Sequence, residues 1–459
     1  MNKLINIYLI IFCVSTISIH SAYSQSRFSQ YSSYKLVSHA NLLNPALTPV
    51  KKFTLDLPVI PNVYASFGNT LSFNDAFTKK DDGLYHFDNE KFLRKLNKNN
   101  YIRANVDIQL LFMGLRVGDQ YFSFNINQKT QARILYPTEF LQWPIEGPGT
   151  YGEIDFKNLW VNASNYTEFG FGYTRKINEN LTVGGRLKHL RGVGFARTNI
   201  KGTLSLGIDS VYIQHPSIEG NTMDFESGMA LFESNPVKAF LNNNTGIGID
   251  IGGLYKLNDK ISFSASLIDF GKMTWRNNTM SYSVPEMSYS FKGVDIGTLI
   301  GGTGTTTLED DLNNVVNNYN VTETKDAKIH QPLSTKFYGA VHASPKDGHQ
   351  ASLILFSEMY NGKMEKALSL GYNLTLKEFM SLGLNYNYKN GTFNHLGASF
   401  ALRAGFFQFY LLSDNINLSL ASNEVDIHIG FNMVFGRSAD KLEKKKQKKS
   451  DKSDTEEDI

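Results

Sequence analysis

Asp426-Ile427-His428-Ile429-Gly430-Phe431-Asn432-Met433-Val434-Phe435 is the stretch on which the fold turns. Ile427, Ile429, Phe431, Met433 and Phe435 fall on one side of an extended chain, and Asp426, His428, Gly430, Asn432 and Val434 on the other. A strand alternates faces with period two, so this one has an apolar face and a mostly small or polar one. It ends on an aromatic residue, and a charged segment begins at Arg437.

The same alternation recurs along the chain. Ile102, Ala104, Val106, Ile108, Leu110 and Phe112 oppose Arg103, Asn105, Asp107 and Gln109. After a Gly118-Asp119 turn, Phe122, Phe124 and Ile126 oppose Ser123, Asn125 and Asn127. Phe169, Phe171 and Tyr173 oppose Gly170, Gly172 and Thr174, and Leu181, Val183 and Leu187 oppose Thr182, Gly184, Arg186 and Lys188. Ile247, Ile249 and Ile251 oppose Gly248, Asp250 and Gly252. Residues 368–375, 380–388 and, past an Asn390-Gly391 turn, 396–403 repeat the pattern. The outer face is often aromatic, and the other carries Gly, Ser, Asn and Thr with few charges. A soluble sandwich would place Lys and Glu on its solvent face. Tight turns alternating with long excursions are the layout of a membrane barrel.

Composition agrees with an all-β transmembrane antiparallel barrel of about 14 strands, within a range of about 12 to 16. The 459 residues include 37 glycines and only 12 prolines, and mean hydropathy is −0.27, as expected when half the strand residues face water. A net charge of +3 gives no reason to expect nucleic acid as a partner. No apolar run after residue 24 approaches the roughly 18 residues of a membrane helix. An integral protein must then close its sheet, since lipid leaves an open strand edge unpaired. A soluble periplasmic β protein is the competing architecture.

Lys3, the apolar run Leu4–Ile19 and the small residues Ala22 and Ser24 form a signal peptide with cleavage expected after Ser24. Cys13, the chain's single cysteine, lies inside that run and follows Phe12, where a lipoprotein site needs a small residue. The mature chain therefore has no thiol chemistry. The expected organisation is a signal peptide over 1–24, an N-terminal plug-like segment over 25–52, the barrel over 53–436 and a charged periplasmic tail over 437–459. Helices are expected at Asp88–Leu96, around Met229–Leu241, and at Thr306–Tyr319, where Thr306 and Glu309 form a capping-box pair.

Three motifs carry a family resemblance. His428, Gly430, Met433 and Phe435 resemble the C-terminal assembly signal of outer-membrane β-barrels, which implies the barrel assembly machinery and outer-membrane lipid as partners. Asn44-Pro45-Ala46, soon after the mature N-terminus, resembles the long-chain fatty-acid transporter-like barrels and their Bacteroidota relatives, including barrels that work with the type IX secretion system. In that superfamily the N-terminal segment enters the barrel and plugs or gates it. Asp269-Phe270-Gly271, followed by Trp275, resembles an uncharacterised Bacteroidota family of the same superfamily. The resemblance implies the outer membrane of a Gram-negative bacterium.

Enzyme chemistry finds little support. Gly301-Gly302-Thr303-Gly304 lacks a P-loop lysine, and Glu309, Asp310 and Asp311 would repel a phosphate. Gly246-Ile247-Gly248 lacks the third glycine of a dinucleotide site. No His-Glu-x-x-His pattern occurs among the 10 histidines, so no metal or other cofactor is expected. The polar-face charges Arg103, Asp107, Arg186, Lys188, Asp250, Glu358 and Arg403, with His428, are expected to line the lumen as a paired network, because lipid-facing charge costs about 2–4 kcal/mol near mid-membrane. Asp269 falls in the apolar phase, which places it at the rim or beyond a register change. The basic block Lys444–Lys449 and acidic block Asp451–Asp458 form a solvated tail that could meet a periplasmic or secretion-system protein. Two functions are compatible with these features: gated passage of a small or hydrophobic solute, or a structural or secretion-accessory barrel that docks partners.

Overall fold

The computed structural model describes residues 26–436 apart from 58, 98, 147–152, 156–158, 207–210, 224–242, 285–288, 292–321, 361–362, 390–391 and 418. The signal peptide, the helices expected at Met229–Leu241 and Thr306–Tyr319, the glycines at 301–304 and the tail lie outside the described residues.

Among the described residues, fourteen antiparallel strands close into one barrel. They are β1 (Phe53–Asp56, continued by Asn62–Asn69), β2 (Asn99–Val117), β3 (Gln120–Pro137), β4 (Trp160–Lys176), β5 (Leu181–Leu206), β6 (Thr245–Lys256) and β7 (Ile261–Trp275). Then follow β8 (Ile329–Pro332, continued by Thr335–Ala343), β9 (His349–Tyr360), β10 (Lys363–Leu376), β11 (Met380–Lys389), β12 (Thr392–Ala404), β13 (Phe407–Ser413) and β14 (Glu424–Phe435). Each strand pairs with its neighbour in sequence, and β1 pairs with both β2 and β14, as in Val63↔Ile108 and Val63↔Ile429. The expected strand number of about 14 is met.

Tight turns mark one end. Val117 pairs with Gln120 around Gly118, whose φ of +60° favours glycine. The β4–β5 and β6–β7 turns share one device: Asn178 Oδ1 accepts the Leu181 N–H at 2.8 Å, and Asn258 Oδ1 accepts the Ile261 N–H at 2.9 Å. The other end carries the long connections. There β5 runs for 26 residues, well beyond the roughly 10 that span a bilayer, and Glu153–Asp155 and Val211–Met223 pair onto its far half. A helix at Asn89–Lys95 stands in this end, within the expected Asp88–Leu96; Lys91 N–H donates to the Asp88 cap at 3.0 Å and holds that carboxyl below its usual range.

Alternation decides what faces lipid. In β14, Val425, Ile427, Ile429 and Phe435 point out, while Glu424, Asp426, His428, Gly430 and Asn432 point in. Phe435 stacks on Phe406 and lies beside Phe53, an aromatic girdle at the short-turn end. One expected face is corrected. A register shift between Gln109 and Leu111 inverts the phase of β2, so Phe112 points inward and is fully buried, while Met113 and Leu115 take the lipid face.

Candidate functional site: the plugged lumen

The lumen is occupied by the chain's own N-terminal segment. Residues 26–50 are buried or half-buried throughout and sit inside the half of the barrel nearest the short turns. A short helix, α1 (Phe28–Ser32), puts Tyr31 in a stack on Tyr338 at 4.9 Å and Phe28 edge-on to Phe356. The polar inward face of the wall supplies the remaining contacts. Ser33 Oγ meets Ser399 Oγ at 3.2 Å, Gln408 donates to the Leu36 carbonyl at 2.7 Å, and Gln350 donates to the Ser32 carbonyl at 3.0 Å. His39 lies between Asp56, 2.8 Å from its Nε2, and the Tyr410 hydroxyl, 3.0 Å from its Nδ1, and its ring packs on Phe112. Irregular backbone at membrane depth is tolerated only where protein surrounds it, and here the wall surrounds it.

Asn44-Pro45-Ala46 forms the segment's tightest seat. Asn44 Oδ1 accepts the Ala46 N–H at 2.9 Å, closing a local turn, while its Nδ2 donates to the Tyr31 hydroxyl at 3.0 Å and the Ala265 carbonyl of β7 at 3.2 Å. Thr174 donates to the Pro45 carbonyl at 2.6 Å. Facing the motif are Gly184 and Gly252, direct partners across β5 and β6. A Cβ on Gly184 would lie 2.6 Å from the Pro45 carbonyl carbon, and one on Gly252 would lie 3.0 Å from Asn44 Cγ.

Above this seat the inward charges form a network. Lys188 Nζ lies 2.6 Å from Asp269, 2.7 Å from Asp250 and 3.5 Å from Glu168. Lys129 joins Glu168 at 2.8 Å and Asp269 at 3.5 Å, and Lys336 reaches Asp269 at 3.0 Å. Arg186 pairs with Asp250 at 3.3 Å and donates to the Asn41 side chain at 2.7 Å, tying network to plug. A second group joins Arg133 to Glu358 at 2.6 Å, and a third joins Arg103 and Lys389 to Glu424 at 3.1 and 3.3 Å. Arg27 of the plug pairs with Asp107. Arg403 stands apart near the short turns, donating to the Glu378 carbonyl at 3.1 Å. His428 meets the Tyr410 hydroxyl at 3.4 Å.

Lys129, Glu168, Lys336, Lys389 and Glu424 were not among the residues singled out from sequence. Each lies in the inward phase of its strand, so carrying the alternation to the strand ends would have found them. Asp269 required more. It has φ of +58° at the register shift opposite Asp250, and its own N–H donates to Asp250 Oδ1 at 2.8 Å. The shift turns Asp269 into the lumen centre rather than the rim. Gly271 then lets β7 approach β6 closely, since a Cβ there would lie 2.8 Å from the Gly248 Cα. Trp275, at the strand's end, stacks on Phe195 at 4.5 Å and donates to Gln331 at 2.9 Å. With Tyr166, Leu190, Met273 and Leu333 it forms a buried apolar cluster.

In the final strand, Gly430 pairs with Tyr410, whose ring covers the glycine so closely that a side chain there would collide with it. Met433 and Phe435 face outward at the short-turn end.

Among the described residues, three cavities bear on passage. A cavity of about 40 Å³ lies between plug and network, lined by Arg27, Gln109, Lys129, Asp269 and Tyr338 among others. At the short-turn mouth a cup of about 1120 Å³ is floored by Ala46, Leu47 and Thr48. The third lies in the wall. The β12–β13 ladder stops at Ala398↔Ser413 and the β13–β14 ladder at Leu412↔His428; above them this notch in the ladder is spanned by irregular chain, in which the Ile416 N–H donates to the Leu396 carbonyl at 2.8 Å and the Asn415 side chain donates to the Glu424 carbonyl at 2.6 Å. An apolar groove of about 790 Å³ lies on the outer face of the wall beside this notch and spreads over β10–β14, lined by Tyr372, Leu384, Ala398, Leu411, Ile416 and Ile427 among others. Behind it, Asp414 accepts the N–H groups of Phe28 and Ser29 at 2.8 and 2.7 Å.

Similar solved structures include a Pseudomonas aeruginosa FadL homologue (TM-score 0.46, 11% identity, 91% of this chain and 98% of that one). The Ralstonia pickettii toluene transporter TbuX (TM-score 0.40, 11%, 87% and 95%) and the CymD monoaromatic hydrocarbon channel (TM-score 0.42, 8%, 92% and 99%) are also similar. No curated protein matches the chain. Its residues 45–414 match the profile of a family of unknown function (DUF5723), and the chain belongs to that family.

Proposed function

We propose that the protein is an outer-membrane barrel of a Gram-negative bacterium that passes a small hydrophobic solute, with residues 26–50 as the gate and the wall notch as the lipid-side port. The carrying observation is the apolar groove on the outer face of β10–β14, which reaches Ser413 and Asn415 on either side of the Asp414 clasp on Phe28 and Ser29. An axial route would have to pass residues 26–50, which are buried or half-buried throughout, so passage needs movement of the plug or a lateral path. A hydrophobic solute gains by leaving through the wall into lipid and avoiding the polar lumen.

A cysteine pair tests this reading, since the mature chain has no thiol of its own. Ser33 and Ser399 meet through their hydroxyls at 3.2 Å, so the double variant S33C/S399C can be oxidised to lock the plug to β12. In proteoliposomes, uptake of a labelled hydrophobic solute should fall on oxidation and return on reduction. Uptake that is absent from the unmodified protein, or indifferent to the lock, overturns it.

The small free space supports a second reading, a barrel whose plug is permanent and whose role is to dock partners at its loops or through its tail, as in secretion-associated assemblies. Deleting residues 438–459 should then remove a crosslinked periplasmic partner, and an unchanged pull-down sinks that reading.

A further inference from the structure

The loop between β1 and β2 folds into a small amphipathic unit of its own. A short helix, Phe73–Ala76, opens it under a capping box of Ser72 and Asp75. A hairpin of Phe77–Lys79 and Tyr85–Phe87 follows, and the helix at Asn89–Lys95 closes it. The hairpin pairs Phe77 with Phe87, Lys79 with Tyr85 and Thr78 with His86, so alternation puts the aromatic residues on one face and Thr78 and His86 on the other. On the first face Phe77 stacks on Phe73 at 4.5 Å and meets Phe87 edge-on at 5.6 Å, while Tyr85 lies 5.2 Å from Phe73 and Phe92 lies 5.1 Å from Phe87. The second face is polar: Thr78 donates to Asp88 at 3.1 Å, and His86 lies 2.6 Å from Asp82. The aromatic face is no core, however. Phe73, Tyr85 and Phe87 are 40%, 45% and 47% exposed, and Leu84 in the turn is 64% exposed.

The height of this unit on the barrel decides what lies beside it. Phe53 and Phe67, both on β1, pair with Phe435 and Val425, ten residues apart on β14. Ten residues at about 3.3 Å each, tilted by about 40°, rise about 25 Å, the height of the apolar band of a membrane barrel. Phe53 and Phe435 belong to the girdle at the short-turn end, so the outward Phe67 marks the opposite edge of the band. Phe73 follows six residues later. Backbone bonds fix the unit to the wall at that level: Asn69 N–H donates to the Asn423 carbonyl at 2.8 Å, and Asn74 N–H to the Leu420 carbonyl at 2.9 Å. Leu420 is itself exposed, and Ile416 of the same loop lines the outer-wall groove. The apolar outer surface of the barrel thus continues from Val425 and Phe67 through Leu420 to Phe73.

The geometry points to a foot that rests on the membrane: the aromatic face of Phe73, Phe77, Tyr85 and Phe87 lies on the outer leaflet at headgroup level, and the Thr78–His86 face looks to water. Rings at that depth bury their faces among the upper acyl chains while the Tyr85 hydroxyl stays wet, which is why aromatic residues collect at membrane interfaces. Lys79, opposite Tyr85 on the same face, lays its stem along the apolar surface and keeps its ammonium among the headgroups. A clustered apolar face left in water would be costly, and the lipid band it adjoins is the surface able to cover it. The contact does not depend on solute passage, since it is made whether the plug moves or stays.

Spin labels on single cysteines test this in proteoliposomes, in a Cys13→Ser background that leaves the chain without another thiol. Leu84→Cys and Phe87→Cys report the aromatic face, His86→Cys the polar face, and Ile247→Cys the lipid-facing wall. A nickel chelate stays in water and oxygen enters lipid. Nickel collisions at 84 and 87 should therefore be on the order of ten-fold rarer than at 86, with oxygen collisions as frequent as at 247. Tyr85→Trp gives a second readout. Its emission, taken as the difference from the parent barrel, should be quenched more by lipids brominated near the headgroup end of the acyl chain than by lipids brominated at the chain tip. Retained heat-modifiable mobility shows that each variant has folded. Nickel access at 84 and 87 equal to that at 86 would put the face in water, and exclusion of both colliders would put it against protein, a second copy included. Either result overturns the inference, as does Trp emission indifferent to lipid bromination.

Discussion

Asn44 and Gly252 fit each other as side chain and vacancy: the Asn44 amide lies over the glycine, and a Cβ there would come within 3.0 Å of Asn44 Cγ. Pro45 stands in the same relation to Gly184, the cross-strand partner of Gly252. The plug is thus seated against a flat two-glycine patch in the wall. Gly252→Ala should unseat it without opening the barrel, at a cost of about 1–3 kcal/mol from overpacking. Limited proteolysis should newly cut within residues 26–52, while the heat-modifiable mobility of the barrel is retained. Unchanged protection of the segment would show that the patch does not position it.

Asp269 has three lysines within 3.5 Å, and removing its charge leaves Lys129 and Lys188 to share Glu168 and Asp250 and takes from Lys336 its partner at 3.0 Å, all in a buried interior. Asp269→Ala should cost about 3–5 kcal/mol, the range for a broken buried pair. The measured quantity is the midpoint of the heat- or urea-induced mobility shift after refolding. Adding Lys336→Met should recover part of the loss, because it removes one of the stranded cations. A double variant no better than the single would assign the effect to the bulge backbone at φ +58° and not to charge.

These two sites also mark how far the residue pattern could be read. Period-two alternation places Arg186, Lys188 and Asp250 on the inward face because each strand there is regular, and they lie in the lumen. A register shift breaks that logic. It turned Phe112 from the lipid face to the plug and brought Asp269 to the network centre, and neither bulge has a local signal beyond Gly271 and the misplaced acid. The plug's path was illegible for a different reason. Residues 26–50 are mostly irregular, and their position is set by hydrogen bonds to residues hundreds of positions away, such as Ser29 to Ser413.

Trp275 fills the space that Gly192 leaves open: a Cβ on Gly192 would collide with the indole, lying 2.8 Å from its Cη2. Trp275→Ala should remove about 3–5 kcal/mol of packing with Phe195, Met273 and Leu333. It should also free Gln331, which bridges the indole to Asn162 at 2.8 Å. Trp275→Phe keeps most of the packing and loses only the hydrogen bond, so its mobility-shift midpoint should fall between the two. A Phe variant as unstable as Ala would mean the hydrogen bond dominates.

Filling the wall notch separates the lateral port from the plug. Ala398 faces outward beside Leu384 and Ser413 and lines the groove of about 790 Å³. Ala398→Phe adds apolar bulk where lipid or solute would lie, so the folded barrel loses no internal contact and gains surface compatible with the bilayer. Solute uptake by proteoliposomes should drop while the mobility-shift temperature stays unchanged. Ile247→Phe, an equally outward substitution on β6 far from the notch in sequence and strand order, should leave both quantities alone. Equal loss in the two variants would point to a general effect on insertion. No loss in either, with the oxidised S33C/S399C lock still blocking uptake, would move the route from the wall to the barrel axis and make displacement of residues 26–50 the whole of the gate.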